Sequence, residues 1–144
     1  MLNNLAMAQY KSNPVTVHRS AESITYKFAD LSAFGNALDA MSPADRERIG
    51  DVKFEKDSIT IDTKQVGTIS FKVTERTPSR IVMNAVGSPV PLDLCVNLTS
   101  LGSDVTEIVT SIDVEIPAML RPLIGGAMQK AVDQFGDLMG KLNS

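Results

Sequence analysis

The sequence predicts an α+β domain in the order β-α-α-β6-α, an antiparallel sheet of about seven strands whose one apolar face is covered by a long C-terminal helix. Two observations predict it. From Asp51 to Ile116 apolar and polar residues alternate in run after run, the period of strands half-buried against a core. The chain then closes on a stripe at helical spacing: Leu120, Leu123, Ile124, Ala127, Met128, Ala131, Val132, Phe135, Leu138, Met139 and Leu142. Gln129, Lys130, Asp133, Gln134, Asp137 and Lys141 hold the opposite side.

Taken in order, residues 1–9 read as an N-terminal extension, flexible in solution, with a second methionine at Met7. Residues 10–144 form the single domain. Tyr10 to Arg19 is a first strand, demoted to a sheet edge by Pro14, which has no N–H to donate. Ser20 is an N-cap with Glu22 in the first helical turn. Ile24, Phe28 and Leu31, then Phe34, Leu38 and Met41, repeat at i, i+4 and i+7, giving two short helices that break near Ser32. Ser42 and Pro43 start a further turn that ends at Gly50. Six strands follow, at about 51–56, 58–63, 66–76, 80–87, 91–101 and 105–116, separated by turns short enough for antiparallel hairpins. Alternation places Val52, Phe54, Ile59, Ile61, Ile69, Phe71, Val73, Ile81, Met83 and Ala85 on the inner face. Leu92, Leu94, Val96, Leu98, Ile108, Thr110, Ile112, Val114 and Ile116 continue it. No titratable group falls on the inner face of the second to seventh strands. In the last helix Pro122 suits the first turn, while Gly125 and Gly126 cost stability that close packing on the sheet, or a hinge, would have to justify.

Composition narrows the function classes. A chain of 144 residues can bury a full core without a staple. The net charge of -3, with no basic run, leaves no footprint for nucleic acid, and the 5% aromatic content without Trp offers few stacking platforms. No apolar run approaches the roughly 20 residues that span a bilayer, so no integral membrane association is expected. One cysteine fits a reducing cytoplasm. His18 is the only histidine, Cys95 falls on the polar face, and the glycines match no phosphate loop; no metal site, cofactor or nucleophile relay follows from spacing.

The element order over residues 10–142, with Ser20-Ala21-Glu22 opening the first helix and Ala29-Asp30-Leu31-Ser32 closing it, resembles the START-like or SRPBCC superfamily and its helix-grip fold. Within that group the chain is similar to the bacterial polyketide cyclase/dehydrase-like proteins, because no glycine-rich loop of the plant-allergen type lies between Glu55 and Gly67. The resemblance implies a curved sheet wrapped around the last helix and a cavity between them for a lipid- or polyketide-like molecule. Its lining would come from Phe54, Ile61, Phe71, Met83, Leu94, Val96, Thr110 and Ile112 of the sheet and Leu123, Ala127 and Met128 of the helix. An empty apolar void of about 300 Å³ would forfeit roughly 7 kcal/mol, so the cavity should be small, wet, filled or partly collapsed. Met83, Met119, Met128 and Met139 are flexible enough to refill it.

The expected function is therefore binding or carriage of a hydrophobic small molecule, held by shape and a few polar groups such as Thr110 and Thr63, without catalysis. One alternative is an enzyme of cyclase or dehydratase type, for which Tyr10, Tyr26, His18 or Arg121 would have to enter the cavity. Another is a protein-interaction domain, with outward Val82, Val86 and Val109 supporting a partner or a weak homodimer in place of a monomer.

Overall fold

The alternating segments join one antiparallel sheet in the order β1-β8-β7-β6-β5-β4-β3, with the short β2 also on β8. The computed structural model describes residues 5–44, 47, 51–63, 67–86 and 91–143. Its strands are β1 (Leu5–Lys11), β2 (Val15–Val17), β3 (Asp51–Phe54), β4 (Ser58–Thr63), β5 (Gly67–Thr77), β6 (Arg80–Val86), β7 (Leu92–Gly102) and β8 (Val105–Pro117). The helices whose full span is described are α1 (Ala21–Lys27), α2 (Ala33–Asp39) and α3 (Arg121–Leu142), the last preceded by a 3-10 turn over Ala118–Leu120, and Pro43, Ala44 and Glu47 are helical as well. This is the expected helix-grip architecture, with strand ends within about two residues of the periodicity. The turns expected at Lys64-Gln65 and Gly87-Ser88-Pro89, and most of the turn from Ser42 to Gly50, lie outside the described residues.

The first strand differs from expectation in both position and form. It starts at Leu5, whose partner is Pro117, so residues 5–9 of the expected extension are paired to β8. It also breaks: β1 and β2 are two pieces of one edge strand separated by Ser12-Asn13-Pro14. Ser12 bridges the gap. Its N–H donates to the Thr110 carbonyl at 2.8 Å and its Oγ accepts the Thr110 N–H at 2.9 Å, so a side chain replaces a missing ladder bond.

The helical segments are fixed locally. Ser20 Oγ accepts the Ser23 N–H at 3.1 Å, the cap read from sequence. At the junction between α1 and α2 the Asp30 carboxylate accepts from both the N–H and the hydroxyl of Ser32, which holds it below the usual carboxylate range. Between them Leu31 is fully buried, and its N–H reaches the Lys56 carbonyl at 2.8 Å. Phe34 of α2 stacks edge-on against Phe28 and lies 5.7 Å from the ring of Phe54, which ties both short helices to β3.

Helix α3 packs chiefly on β8, β1 and β2. What allows the close approach is Gly136 and Gly140, not the Gly125-Gly126 pair. A Cβ at Gly136 would lie 2.7 Å from Ser12 Cβ, and one at Gly140 would lie 2.6 Å from Val15 Cγ1. At Gly126 an added Cβ meets nothing within 4 Å. Gly136→Ala is accordingly expected to cost about 1–3 kcal/mol by overpacking, whereas Gly126→Ala should gain up to about 1 kcal/mol of helix propensity. Chemical denaturation of the two variants checks this; equal effects would contradict it. The C-terminal end of α3 is anchored further by Lys27, whose Nζ donates to the Leu142 carbonyl at 3.4 Å. Burial and the neighbouring Arg19 hold that ammonium below its ordinary range.

Candidate ligand-binding site

The inner face is unevenly filled. On β6, β7 and β8 the inward residues Ile81, Met83, Leu94, Val96, Ile108, Ile112, Val114 and Ile116 are all buried. They share one core cluster with Val132, Phe135, Leu138, Met139 and Leu142 of the C-terminal half of α3, which are buried too. On β3, β4 and β5 Ile59 and Phe71 are buried as well, but the inward residues Val52, Phe54, Ile61, Ile69 and Val73 are only half-buried, and so is Ala85 at the end of β6. Ile124, Met128 and Ala131 of the N-terminal half of α3 match them. The cause lies in the helix's placement. It rests on the β1–β8 edge with its C-terminal half locked by Gly136 and Gly140, and its main contacts with the sheet are to β8, β1 and β2 and do not extend to the far strands. The β3–β5 half of the inner face and the first turns of the helix are therefore the two apolar surfaces the core leaves incompletely covered.

Against this geometry the expected lining residues separate into groups. Phe71, Met83, Leu94, Val96, Thr110 and Ile112 are buried in the packed core, whereas Phe54, Ile61, Ala127 and Met128 are half-buried on those two surfaces. Leu123 is 76% exposed, which places it outside any enclosed interior. The reason is phase: with α3 starting at Arg121, Leu123 lines up at i+7 with Lys130 and at i+11 with Gln134, both exposed. With Met119 at 81% and Leu120 at 39% it makes an exposed apolar patch where the helix begins. Of the methionines expected to refill space, Met83 and Met139 are buried, Met128 is half-buried and Met119 is outside.

The four groups on which an enzyme reading depended also separate. His18 and Tyr26 are exposed, Arg121 is half-buried at the helix start, and Tyr10 is half-buried on the inner face opposite Ile112. The Tyr10 hydroxyl reaches α3, 3.4 Å from where a Cβ at Gly125 would stand. Its inward position follows from Ala8 and Tyr10 alternating on β1, with Ser12 continuing the phase just beyond it, a signal hidden by reading residues 1–9 as an extension. Two polar features of the inner face were also unexpected. A bulge between Val73 and Glu75 shifts the register by one, so Arg76 pairs with Ile81 and shares its face, although exposed at the strand end. And Thr110 Oγ1 is fully enclosed without a hydrogen-bond partner among the described residues.

The outer face is less wet at its centre than the alternation implied. Cys95 is 1% exposed and Ser111, opposite it, 2%. Arg80 Nη2 lies 3.5 Å from the thiol and Asp113 Oδ2 3.8 Å, and Gln9 Nε2 donates to Asp113 Oδ1 at 2.8 Å. These longer side chains roof the cysteine, and burial pushes its thiol up, away from the reactive thiolate. Val86, on the patch considered for a partner, is 57% exposed, whereas Val82 and Val109 are half-buried. A separate recess of about 490 Å³ between the start of α1 and the β5–β6 and β7–β8 turns is lined by Ser20, Glu22, Ser79 and Ser100 among others, and none of the expected residues borders it. Among the described residues no cluster of His, Cys, Asp and Glu could hold a metal ion, and no helix is long and apolar enough to cross a membrane.

No protein-family model matches the sequence, and no curated protein matches it either. Solved structures do match in shape. Truncated norcoclaurine synthase from Thalictrum flavum superposes with a TM-score of 0.70 at 10% identity, covering 99% of this chain and 96% of that one. The Zhui aromatase/cyclase from Streptomyces sp. R1128 gives 0.55 at 15% identity, covering 95% and 92%. A START superfamily protein from Mycobacterium smegmatis gives 0.52 at 18% identity, covering 94% and 98%. At these identities the likeness is one of fold, the helix-grip fold expected from the element order.

Proposed function

We propose that this protein, a chain of the START-like helix-grip fold, binds and carries an apolar small molecule of lipid- or polyketide-like character in the trough between β3–β5 and the N-terminal half of α3, without transforming it. The observation that carries this reading is the half-filled inner face. Val52, Ile61, Ile69 and Val73 of the sheet and Ile124, Met128 and Ala131 of the helix are all half-buried apolar residues, and this reading takes the two rows as the walls of the trough. A ligand there would bury apolar surface worth about 25 cal/mol per Å², which is what such a site has to offer. The reading places a single domain, as a monomer or weak homodimer, in a reducing cytoplasm, consistent with one cysteine and a net charge of -3. Nucleic acid is no part of it.

A cyclase- or dehydratase-type enzyme is the second reading, and one observation favours it: Tyr10 brings a hydroxyl to the inner face beside Gly125. The two are separated by native mass spectrometry of freshly purified protein followed by organic extraction. A stoichiometric apolar adduct released unchanged supports carriage. A clean apo mass under conditions that preserve lipid adducts on other proteins counts against it.

A further inference from the structure

Where α3 begins, three large apolar side chains stand in solvent. Met119 is 81% exposed, Leu120 39% and Leu123 76%. They fall within one short stretch of chain, so they form a single patch and not scattered surface residues. The exposed face of the helix runs on from Leu123 through Gly126, where an added Cβ meets nothing within 4 Å, to Lys130. Lys130 follows Leu123 at i+7, which sets it about 10 Å behind the patch along the same face. Charge is lopsided here. Between Glu115 and Asp133 the chain has Arg121 and Lys130 and no carboxylate, in a protein of net charge -3. Arg121 is half-buried and already engaged within the fold, so Lys130, which is exposed, is the cation this face presents.

From this arrangement we infer that the start of α3 is a docking surface for an anionic lipid bilayer, with Met119, Leu120 and Leu123 entering the boundary between headgroups and acyl chains and Lys130 lying at the level of the phosphates. The spacing fits, because an apolar face settles about 5–10 Å into that boundary and Lys130 stands about 10 Å back. Gly126 adds no side chain between them, so the helix backbone can approach the headgroups. The net charge of -3 does not decide the encounter, since charges beyond a Debye length of about 8 Å are screened. A second copy of the chain is a poorer occupant. Three side chains fall short of the roughly 20 residues that each partner brings to a stable interface, and a two-fold contact through this face would bring in Lys130 from both copies with no carboxylate between Glu115 and Asp133 to offset them. Side chains this exposed project from the surface and line no groove for a protein segment, whereas a bilayer accepts a projecting wedge of any shape. The docking does not require a ligand in the trough.

Flotation tests it, with mixed phosphatidylglycerol–phosphatidylcholine vesicles set beside vesicles of phosphatidylcholine alone. The native protein is expected to float with the mixed vesicles and to partition more weakly onto phosphatidylcholine. Met119→Ser combined with Leu123→Ser should lower partitioning onto the mixed vesicles about tenfold or more. Lys130→Gln should lower it about fivefold there and leave phosphatidylcholine partitioning unchanged. All three positions are exposed, so the variants should melt with the native protein. Native protein that stays in the soluble fraction with both vesicles, or a double variant that floats as the native protein does, would overturn the docking surface. Equal partitioning of the native protein onto both vesicle types would overturn its anionic preference. A concentration-dependent dimer, seen by sedimentation velocity and abolished in the double variant, would overturn it too by assigning the patch to a second copy.

Discussion

Ending the chain at Gln134 is expected to abolish cooperative folding. The deletion removes Phe135, Leu138, Met139 and Leu142, all buried, along with the Leu142 carbonyl that receives Lys27. Truncating a single large core side chain costs about 2–5 kcal/mol, and the total stability of a domain is about 5–15 kcal/mol. Four such losses exceed it. The glycine contacts add to the argument, since Gly136 and Gly140 are where the helix sits directly on Ser12 and Val15, so the edge strand loses its cover as well. Thermal unfolding followed by circular dichroism checks this. A cooperative melt in the truncated chain would mean that the sheet sustains itself without the helix's second half.

Leu94→Asp is expected to be nearly as severe. Leu94 is 2% exposed and faces Met83 and Ile112 across its two neighbouring strands. A carboxylate there has no partner and no water, a change that ranks with the most destabilising single substitutions, above about 4 kcal/mol. Thr99→Asp supplies the contrast on the same strand. Thr99 is exposed, and its replacement should shift stability by no more than about 0.5 kcal/mol. Denaturant titration of the pair reads the sheet's two faces directly; comparable stabilities would mean that the inward and outward registers are exchanged.

Much of this fold was legible because period-two alternation reports faces without reference to partners. Ile81, Met83, Leu94, Val96, Ile108 and Ile112 are all inward as their spacing required, and Ser20, Asp30 and Ser32 act at the helix junctions where their side-chain chemistry places them. Other features rest on register and phase, to which composition is blind. The bulge at Thr74 has no sequence mark, yet it moves Arg76 to the inner face. Leu123 belonged to the apolar stripe by count but lies outside it once the helix begins at Arg121. Doubling drew attention to Gly125-Gly126, whereas the contacts belong to Gly136 and Gly140, one turn apart on the face toward the edge strand. The site was legible only as a face. Which part of that face stays open depends on where α3 comes to rest, and that is decided by those two glycines against Ser12 and Val15.

The central claim, that one half of the inner face is packed and the other open to an apolar ligand, is tested most directly by methyl NMR of isoleucine- and methionine-labelled protein during addition of 6-propionyl-2-(dimethylamino)naphthalene. The expected result is perturbation of the Ile61, Ile69, Ile124 and Met128 methyls, the half-buried residues assigned to the proposed trough, with Ile116, Met139 and the other methyls of the packed half unmoved. Saturable shifts that spare those four methyls, or a response confined to the surroundings of Ser20 and Ser100, would contradict it.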